Sequence, residues 1–337
     1  MAKDKTHTIV IDAMGGDYAP EIPVRAALAA LKEWSDIAIT LVGRADKLNP
    51  LLSPNPRITV VNASDVITND ESPVMALRRK PDASLSVALK LLREGQADAL
   101  VSAGSTGAVM AGAMFKVERI EGVARPALAV LIPTLGTPCL LLDAGANADI
   151  TPDILQSFAV MGDVYAKNVM GIKEPRVALV NIGEEAEKGS NLTKEAHKLL
   201  AAVGQPFRFV GNVEGRGIPL GECDVAVCDG FTGNVFLKTM EGVSKAIFTK
   251  LKTGLSSSFK GKLGGLLAQD TFRGLKKELS PDEVGGALML GVNRVVVKAH
   301  GNSNERAYLN AIKQAYNMEK AQVVGKITDA MPKAQTL

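Results

Sequence analysis

The chain has 337 residues, 46% of them hydrophobic and 4% aromatic, with a formal net charge of +3. That apolar share can fill a large core in one or two domains, and the balanced charge excludes a disordered chain or a nucleic-acid-coating protein. No run approaches the roughly 18–20 apolar residues of a membrane span, and residues 1–7 lack the apolar stretch of a secretory signal, so a soluble intracellular protein is expected.

Short apolar runs alternate with stretches of helical periodicity, the pattern of an α/β fold. Strands are expected at 8–12, 37–42, 58–61, 99–102, 127–132, 139–143, 177–181, 207–210, 225–228 and 295–298. Helices are expected at 20–31, 84–94, 152–168, 193–202, 233–251 and 304–316, with Thr151 as the N-cap before Pro152. The link between 127–132 and 139–143 is too short for a helix, so these strands should form an antiparallel hairpin in an otherwise parallel sheet.

The segments that follow the strands carry the chemistry. The first strand runs into Asp12-Ala13-Met14-Gly15-Gly16-Asp17, and 99–102 into Ala103-Gly104-Ser105-Thr106-Gly107. Later strands lead to Gly145-Ala146-Asn147, to Gly183-Glu184-Glu185 and Lys188, and to Gly211-Asn212-Val213-Glu214-Gly215-Arg216. The last two lead to Asp229-Gly230-Phe231-Thr232-Gly233-Asn234 and His300-Gly301-Asn302-Ser303. Turn chemistry accounts for part of this. Open α/β sheets nevertheless bind ligands at the carboxyl ends of their strands, so these loops are expected to share one cleft.

No Walker A pattern is present, and no Gly-x-Gly-x-x-Gly follows the first strand. Gly104 to Gly107, opening an Ala-rich helix, offers backbone N–H groups and two hydroxyls to an anion, and Asp229 to Asn234 repeats the arrangement. With Arg78, Arg79, Lys80, Lys188, Arg216 and Lys238 near loops, a phosphate or phosphate-bearing substrate is favoured. Two well-capped helices are the plainer alternative. His300 is either a site residue or structural. Asp12, Asp17, Asp143 and Asp229 either hold an ion or brace loops by accepting backbone N–H bonds. No ligand motif of defined spacing joins them, so neither a metal nor a cofactor is expected.

Residues 245–279 break the rhythm, with eight basic residues against Asp270 and Glu278. Phe259, Leu263, Leu266 and Leu267 recur there at helical spacing. An apolar stripe among lysines suits an anionic membrane surface, an acidic partner protein, or helix packing within a dimer. Lys260, Lys262, Leu263, Leu266 and Leu267 are the docking candidates. Cys139, Cys223 and Cys228 lie in apolar runs without a Cys-x-x-Cys pair and read as buried reduced thiols.

These motifs, taken in order, resemble the bacterial phosphate acyltransferase (PlsX) family over nearly the whole chain. Ser105 departs from it, because the family usually has Asn there. The resemblance implies a homodimer with a three-layer α/β/α fold like isocitrate and isopropylmalate dehydrogenases, built on a mostly parallel sheet. It would be one domain over 1–337, with a protruding basic-apolar helical segment near 245–279. The implied activity moves a fatty acyl chain from acyl carrier protein to inorganic phosphate, giving acyl phosphate for phospholipid synthesis by a membrane glycerol-3-phosphate acyltransferase. A cytoplasmic enzyme at the membrane periphery is implied, with no nucleic-acid partner.

Direct attack of phosphate on the thioester needs orientation and charge stabilisation more than an enzyme nucleophile, since a thiolate leaves readily. Lys188, Asp229 and His300 are the expected catalytic residues, with Asp229 orienting Lys188 or His300. Gly16, Asp17, Gly104, Ser105, Thr106, Gly107, Asn147, Asn212, Thr232, Gly233 and Asn234 are the expected phosphate and substrate contacts. An acyl-enzyme through Ser102 or Ser105 is the mechanistic alternative. A coenzyme A-dependent acyltransferase, an NAD-dependent decarboxylating dehydrogenase and a non-catalytic membrane scaffold are the alternative functions.

Overall fold

A computed structural model describes residues 6–278, 283 and 285–331. The expectations at 1–5, at 279 and at 332–337 lie outside the described residues.

The amino-terminal half contains β1 (His7–Asp12), α1 (Glu21–Glu33), β2 (Ile37–Gly43), α2 (Ala45–Leu48), β3 (Ile58–Asn62), α3 (Pro73–Arg79) and α4 (Ser84–Arg93). It continues through β4 (Ala99–Ser102), α5 (Thr106–Gly112), β5 (Ala127–Ile132), β6 (Cys139–Leu142) and α6 (Pro152–Asn168). Then come β7 (Arg176–Asn181), α7 (Asn191–Leu200), β8 (Arg208–Glu214), α8 (Gly217–Leu220) and β9 (Val225–Val227). Three consecutive helices follow, α9 (Gly230–Ser256), α10 (Phe259–Leu267) and α11 (Gln269–Glu278). The chain returns through β10 (Ala287–Leu290), β11 (Val295–Lys298), α12 (Glu305–Lys320) and α13 (Val323–Ala330).

All eleven strands join one sheet in the order β3-β2-β1-β4-β11-β10-β5-β6-β9-β7-β8. Alternation of side chains gives it two apolar faces. Ile9 and Ile11 with Tyr308 of α12, and farther along Phe158 of α6, belong to the core on one face, while Val10, Leu100 and Val296 with Leu89 of α4 belong to the core on the other. The α/β class with a mostly parallel sheet is as expected, and so is the antiparallel β5–β6 hairpin.

β10 is an addition to the expected strands. It inserts between β11 and β5 and runs antiparallel to both. Four residues after a glycine pair carry too little periodicity to stand out. Thr151 occupies the N-cap of α6, but its hydroxyl makes no capping bond.

The helical segment has no boundary near 245, because α9 runs unbroken through it for 27 residues, about 40 Å at 1.5 Å per residue. Gly230 and Gly233 are its buried residues, so the helix leaves the body of the fold after its first turns. Val243 and Ile247 on α9, and Phe259, Leu263, Leu266 and Leu267 on α10, are exposed.

Candidate active site

Strand direction decides which loops meet. β1, β4 and β11 are mutually parallel. The antiparallel pairings through β10 and β5 leave β6, β9, β7 and β8 running the opposite way. The expected single cleft therefore divides into two rims, at opposite ends of the hydrogen-bonded ladder. Among the described residues no hydrogen bond or ion pair joins the two.

At the first rim, Asp12, Ser102 and Lys298 each end a strand and share one register row. Their side chains thus emerge on the same face of the sheet. Ser102 Oγ donates to Asp12 Oδ2 at 2.7 Å and accepts from the Gly104 N–H at 3.0 Å. Burial pushes the Asp12 carboxyl above its ordinary range, opposed by hydrogen bonds from Ser84, Ser102, Met14 and Gly15. Ser102 is completely buried.

Glycines wall this row. A Cβ on Gly15 would lie 2.6 Å from Asp12 Oδ2 and 2.6 Å from the Gly104 nitrogen, and one on Gly104 would lie 3.2 Å from Ser102 Oγ. Gly16 has φ +98° and its Cβ would meet Ala103 and the Gly301 carbonyl, so no side chain fits there. The Asp17 N–H donates to the Gly301 carbonyl at 2.8 Å, tying the first loop to the His300 loop. Gly107 packs on Pro73 of α3. Ser105 stands at the N-cap of α5 without a side-chain capping bond, and Thr106, Asp17 and His300 are exposed. Gly16, Asp17, Gly104, Ser105, Thr106, Gly107 and His300 are therefore neighbours.

The second rim gathers Asn147, Thr232, Gly233 and Asn234, but most of its polar groups are already engaged. Asp143 accepts N–H bonds from Leu128 (3.0 Å), Gly145 (3.1 Å), Ala146 (2.9 Å) and Asn147 (2.7 Å). Those amides hold the chain's own carboxylate. Burial still raises the Asp143 pKa against their pull. Asn147 Nδ2 donates to Pro126 O at 2.8 Å and to Asp143 Oδ2 at 2.9 Å. A Cβ on Gly233 would lie 1.9 Å from the Asp143 carbonyl, so this glycine serves close packing.

The Asp229 oxygens accept from the Thr232 N–H (2.9 Å) and Thr232 Oγ1 (2.7 Å), capping α9, and neither bond reaches Lys188 or His300. His300 lies at the other rim. Lys188 is exposed and lies 3.9 Å from Glu185. Asn212 is engaged by the fold: its Oδ1 is 2.9 Å from His197 Nδ1 and its Nδ2 donates to the Glu185 carbonyl at 2.9 Å. Among the described residues no group of three or more His, Cys, Asp or Glu side chains could hold a metal ion. Cys139, Cys223 and Cys228 are free and buried.

Lys298 escaped the sequence reading. It is 8% exposed, and its Nζ donates to the Ala299 carbonyl. Burial lowers its pKa to about 8, with Asp12 and Asp17 opposing the shift. A lysine ending a Val-Val-Val run looks like an ordinary solvated strand end. The available signal was that three neighbouring strands all end in a polar residue.

Residues 7–326 match the family described as "Fatty acid synthesis protein". The chain is 49% identical over 323 residues to the phosphate acyltransferase of Clostridium novyi, covering 95% of this chain and 97% of that one. It is 46% identical to the phosphate acyltransferase of Bacillus cereus, covering 96% and 98% of the two chains. The fold is similar to that of a phosphotransacetylase from Streptococcus pyogenes, with a TM-score of 0.61 at 18% identity over 95% of this chain and 94% of that one. It is also similar to a branched-chain phosphotransacylase from Enterococcus faecalis, with a TM-score of 0.60 at 16% identity over 93% and 99%.

Proposed function

We propose that this chain, which belongs to the phosphate acyltransferase family, takes its acyl group from acyl carrier protein and works at the β1–β4–β11 rim. The enzyme is an acyltransferase acting on phosphate. A phosphate oxygen forms the new C–O bond at the thioester carbonyl, the C–S bond breaks, and the proton of hydrogen phosphate passes to the departing thiolate. A thiol of pKa about 8.5 leaves easily, so positioning and charge carry most of the acceleration.

The observation that supports this rim is its combination of glycine walls with side chains not used by the fold. Gly15, Gly16 and Gly104 let backbone approach closely, while Ser105, Thr106 and His300 face outward. In this reading Ser105, Thr106 and His300 contact phosphate. Lys188, Asn147, Asn212, Thr232, Gly233 and Asn234 do not. The test incubates the purified protein with palmitoyl-acyl carrier protein and inorganic phosphate, trapping acyl phosphate with hydroxylamine. Hydroxamate equal to the carrier released is expected. Carrier release without hydroxamate would make the protein a thioesterase, and no reaction would favour a scaffold.

The exposed tip supports a peripheral membrane role feeding phospholipid synthesis. Leu266 and Leu267 are 66% and 81% exposed beside Lys260 and Lys262, an arrangement suited to an anionic bilayer. The same stretch, with exposed Val243 and Ile247 on α9, would serve a homodimer whose tips lie side by side. No described helix is long and apolar enough to cross a membrane. Removing residues 262–269 is expected to abolish flotation with anionic vesicles, and undiminished flotation would end the membrane reading.

A further inference from the structure

We propose that Lys298 is the phosphate-binding cation of the β1–β4–β11 rim, with the substrate dianion as the counter-ion that the fold leaves out. This inference rests on the acyl transfer to phosphate argued above and assigns the charge that reading lacks.

A lysine at 8% exposure is unusual unless paired. Among the described residues no carboxylate lies within 4 Å of the Lys298 ammonium. Asp12 belongs to the same register row but stands two strands away, with Ser102 between them. Two strand spacings put the two backbones about 9.5 Å apart, and the Asp12 carboxylate, bonded to Ser102, acts on the ammonium through its charge without contact. An ammonium sequestered from water without a close partner costs stability, so its retention calls for a ligand.

Placement agrees. The ammonium bonds the carbonyl of Ala299, the first residue beyond the strand, so the side chain turns toward the rim and away from the sheet interior. It thereby sits beside His300 and beneath the loop that Asp17 bonds through Gly301. In that loop Ser303 Oγ is buried without a hydrogen-bond partner, a second group awaiting a ligand. A phosphate seated in the rim beside that loop meets the ammonium, and the amine supplies charge without any covalent step.

The charges acting on Lys298 are Asp12 on β1 and Asp17 beyond it, with His300 next in its own loop; Tyr308 on α12 packs on the opposite face of the sheet and donates to the Asp12 carbonyl at 3.5 Å. α4 has no acidic residue in its first turn, and β10 presents Ala287 opposite Lys298. Burial holds the Lys298 pKa at about 8. Phosphate binding that depends on the protonated amine therefore weakens above about pH 8.

The experiment measures KM for phosphate, KM for palmitoyl-acyl carrier protein and thermal stabilisation by inorganic phosphate, for wild type, Lys298→Met and Lys298→Arg. Loss of one charge-assisted contact is expected to raise the phosphate KM of Lys298→Met about tenfold or more, with the donor KM within about twofold. Phosphate should no longer stabilise that variant. Its melting temperature without phosphate should be equal or higher, because a lone buried ammonium is gone. Lys298→Arg keeps its charge at all pH values, so the alkaline fall in kcat/KM for phosphate should vanish. A folded Lys298→Met with a phosphate KM near wild type overturns the inference. So does an alkaline limb retained in Lys298→Arg, which decides the matter if Lys298→Met does not fold. Phosphate stabilisation needs no acyl donor, so the inference is tested even if wild type makes no acyl phosphate and the acyl-transfer reading falls.

Discussion

Single residues at the two rims resemble each other in sequence and differ in what they do. Gly15 has no room for a methyl group, because its Cβ would intrude on Asp12 Oδ2 and the Gly104 nitrogen at 2.6 Å. Gly15→Ala is expected to destabilise the fold by about 1–3 kcal/mol, measured by urea unfolding, and to lower kcat/KM for phosphate as the rim spreads. Asp229→Ala should remove the cap of α9 at about 1 kcal/mol and leave the phosphate KM unchanged. His300→Ala should lower kcat/KM for phosphate about tenfold, the worth of a lost charge-assisted contact. Lys188→Ala should stay near wild type, since Lys188 lies exposed at the other rim, 3.9 Å from Glu185, where this reading places no phosphate. Equal losses in both would show the rims to be one site. Composition marked Asp229, Asn147 and Asn212 as candidates because capping, loop bracing and ligand binding all use short polar side chains beside glycine. Only the partner atoms distinguish these uses.

At the scale of elements, most strands were legible because apolar β-branched runs bounded by glycine and polar residues have few other conformations. Ala99–Ser102, Ala127–Ile132 and Val295–Lys298 match their expected limits. The expected 207–210 strand instead spans Arg208–Glu214, since pairing with β7 carries extended backbone through Gly211 and Asn212. Strand order and direction left no local mark. β10 reverses the ladder beside β11, and nothing in Ala287–Leu290 says which neighbours it will take. The α10 tip was legible from its spacing, and the fold contributes the fact that no described residue buries it. Leu266→Glu with Leu267→Glu should therefore leave the melting temperature within about 1 °C, since exposed apolar side chains contribute little to the core. The same pair should reduce vesicle flotation several-fold, and unchanged flotation would assign the stripe to another surface.

Across the whole molecule, the far half of the sheet carries a half-buried ion pair beside its ladder. Arg176, opening β7, reaches Asp224, which precedes β9, with Nη2 to Oδ1 at 2.9 Å and Nε to Oδ2 at 3.0 Å. The Arg176 N–H adds a bond to Oδ2 at 2.8 Å, and the guanidinium also caps the carbonyls of Gly221 and Glu222. The pair thereby sets β7 against β9. Burial is the largest single influence on Asp224 and pushes its pKa up, but the bonds and charge of Arg176 together bring it below its ordinary value of 3.8. A carboxyl depressed on folding stabilises the native state fully above its unfolded pKa and loses that contribution as pH falls through the folded value. Asp224→Asn is thus expected to cost about 1–3 kcal/mol at pH 7, toward the lower end because the Arg176 side chain is 38% exposed. The cost should shrink toward pH 3, below the ordinary carboxyl pKa, as the wild-type carboxyl begins to take up its proton. Urea unfolding of both proteins at the two pH values checks this, and a pH-independent difference would mean that Arg176 holds Asp224 by shape and not by charge. Phosphate KM at pH 7 should not change, because several strands separate this pair from the β1–β4–β11 rim.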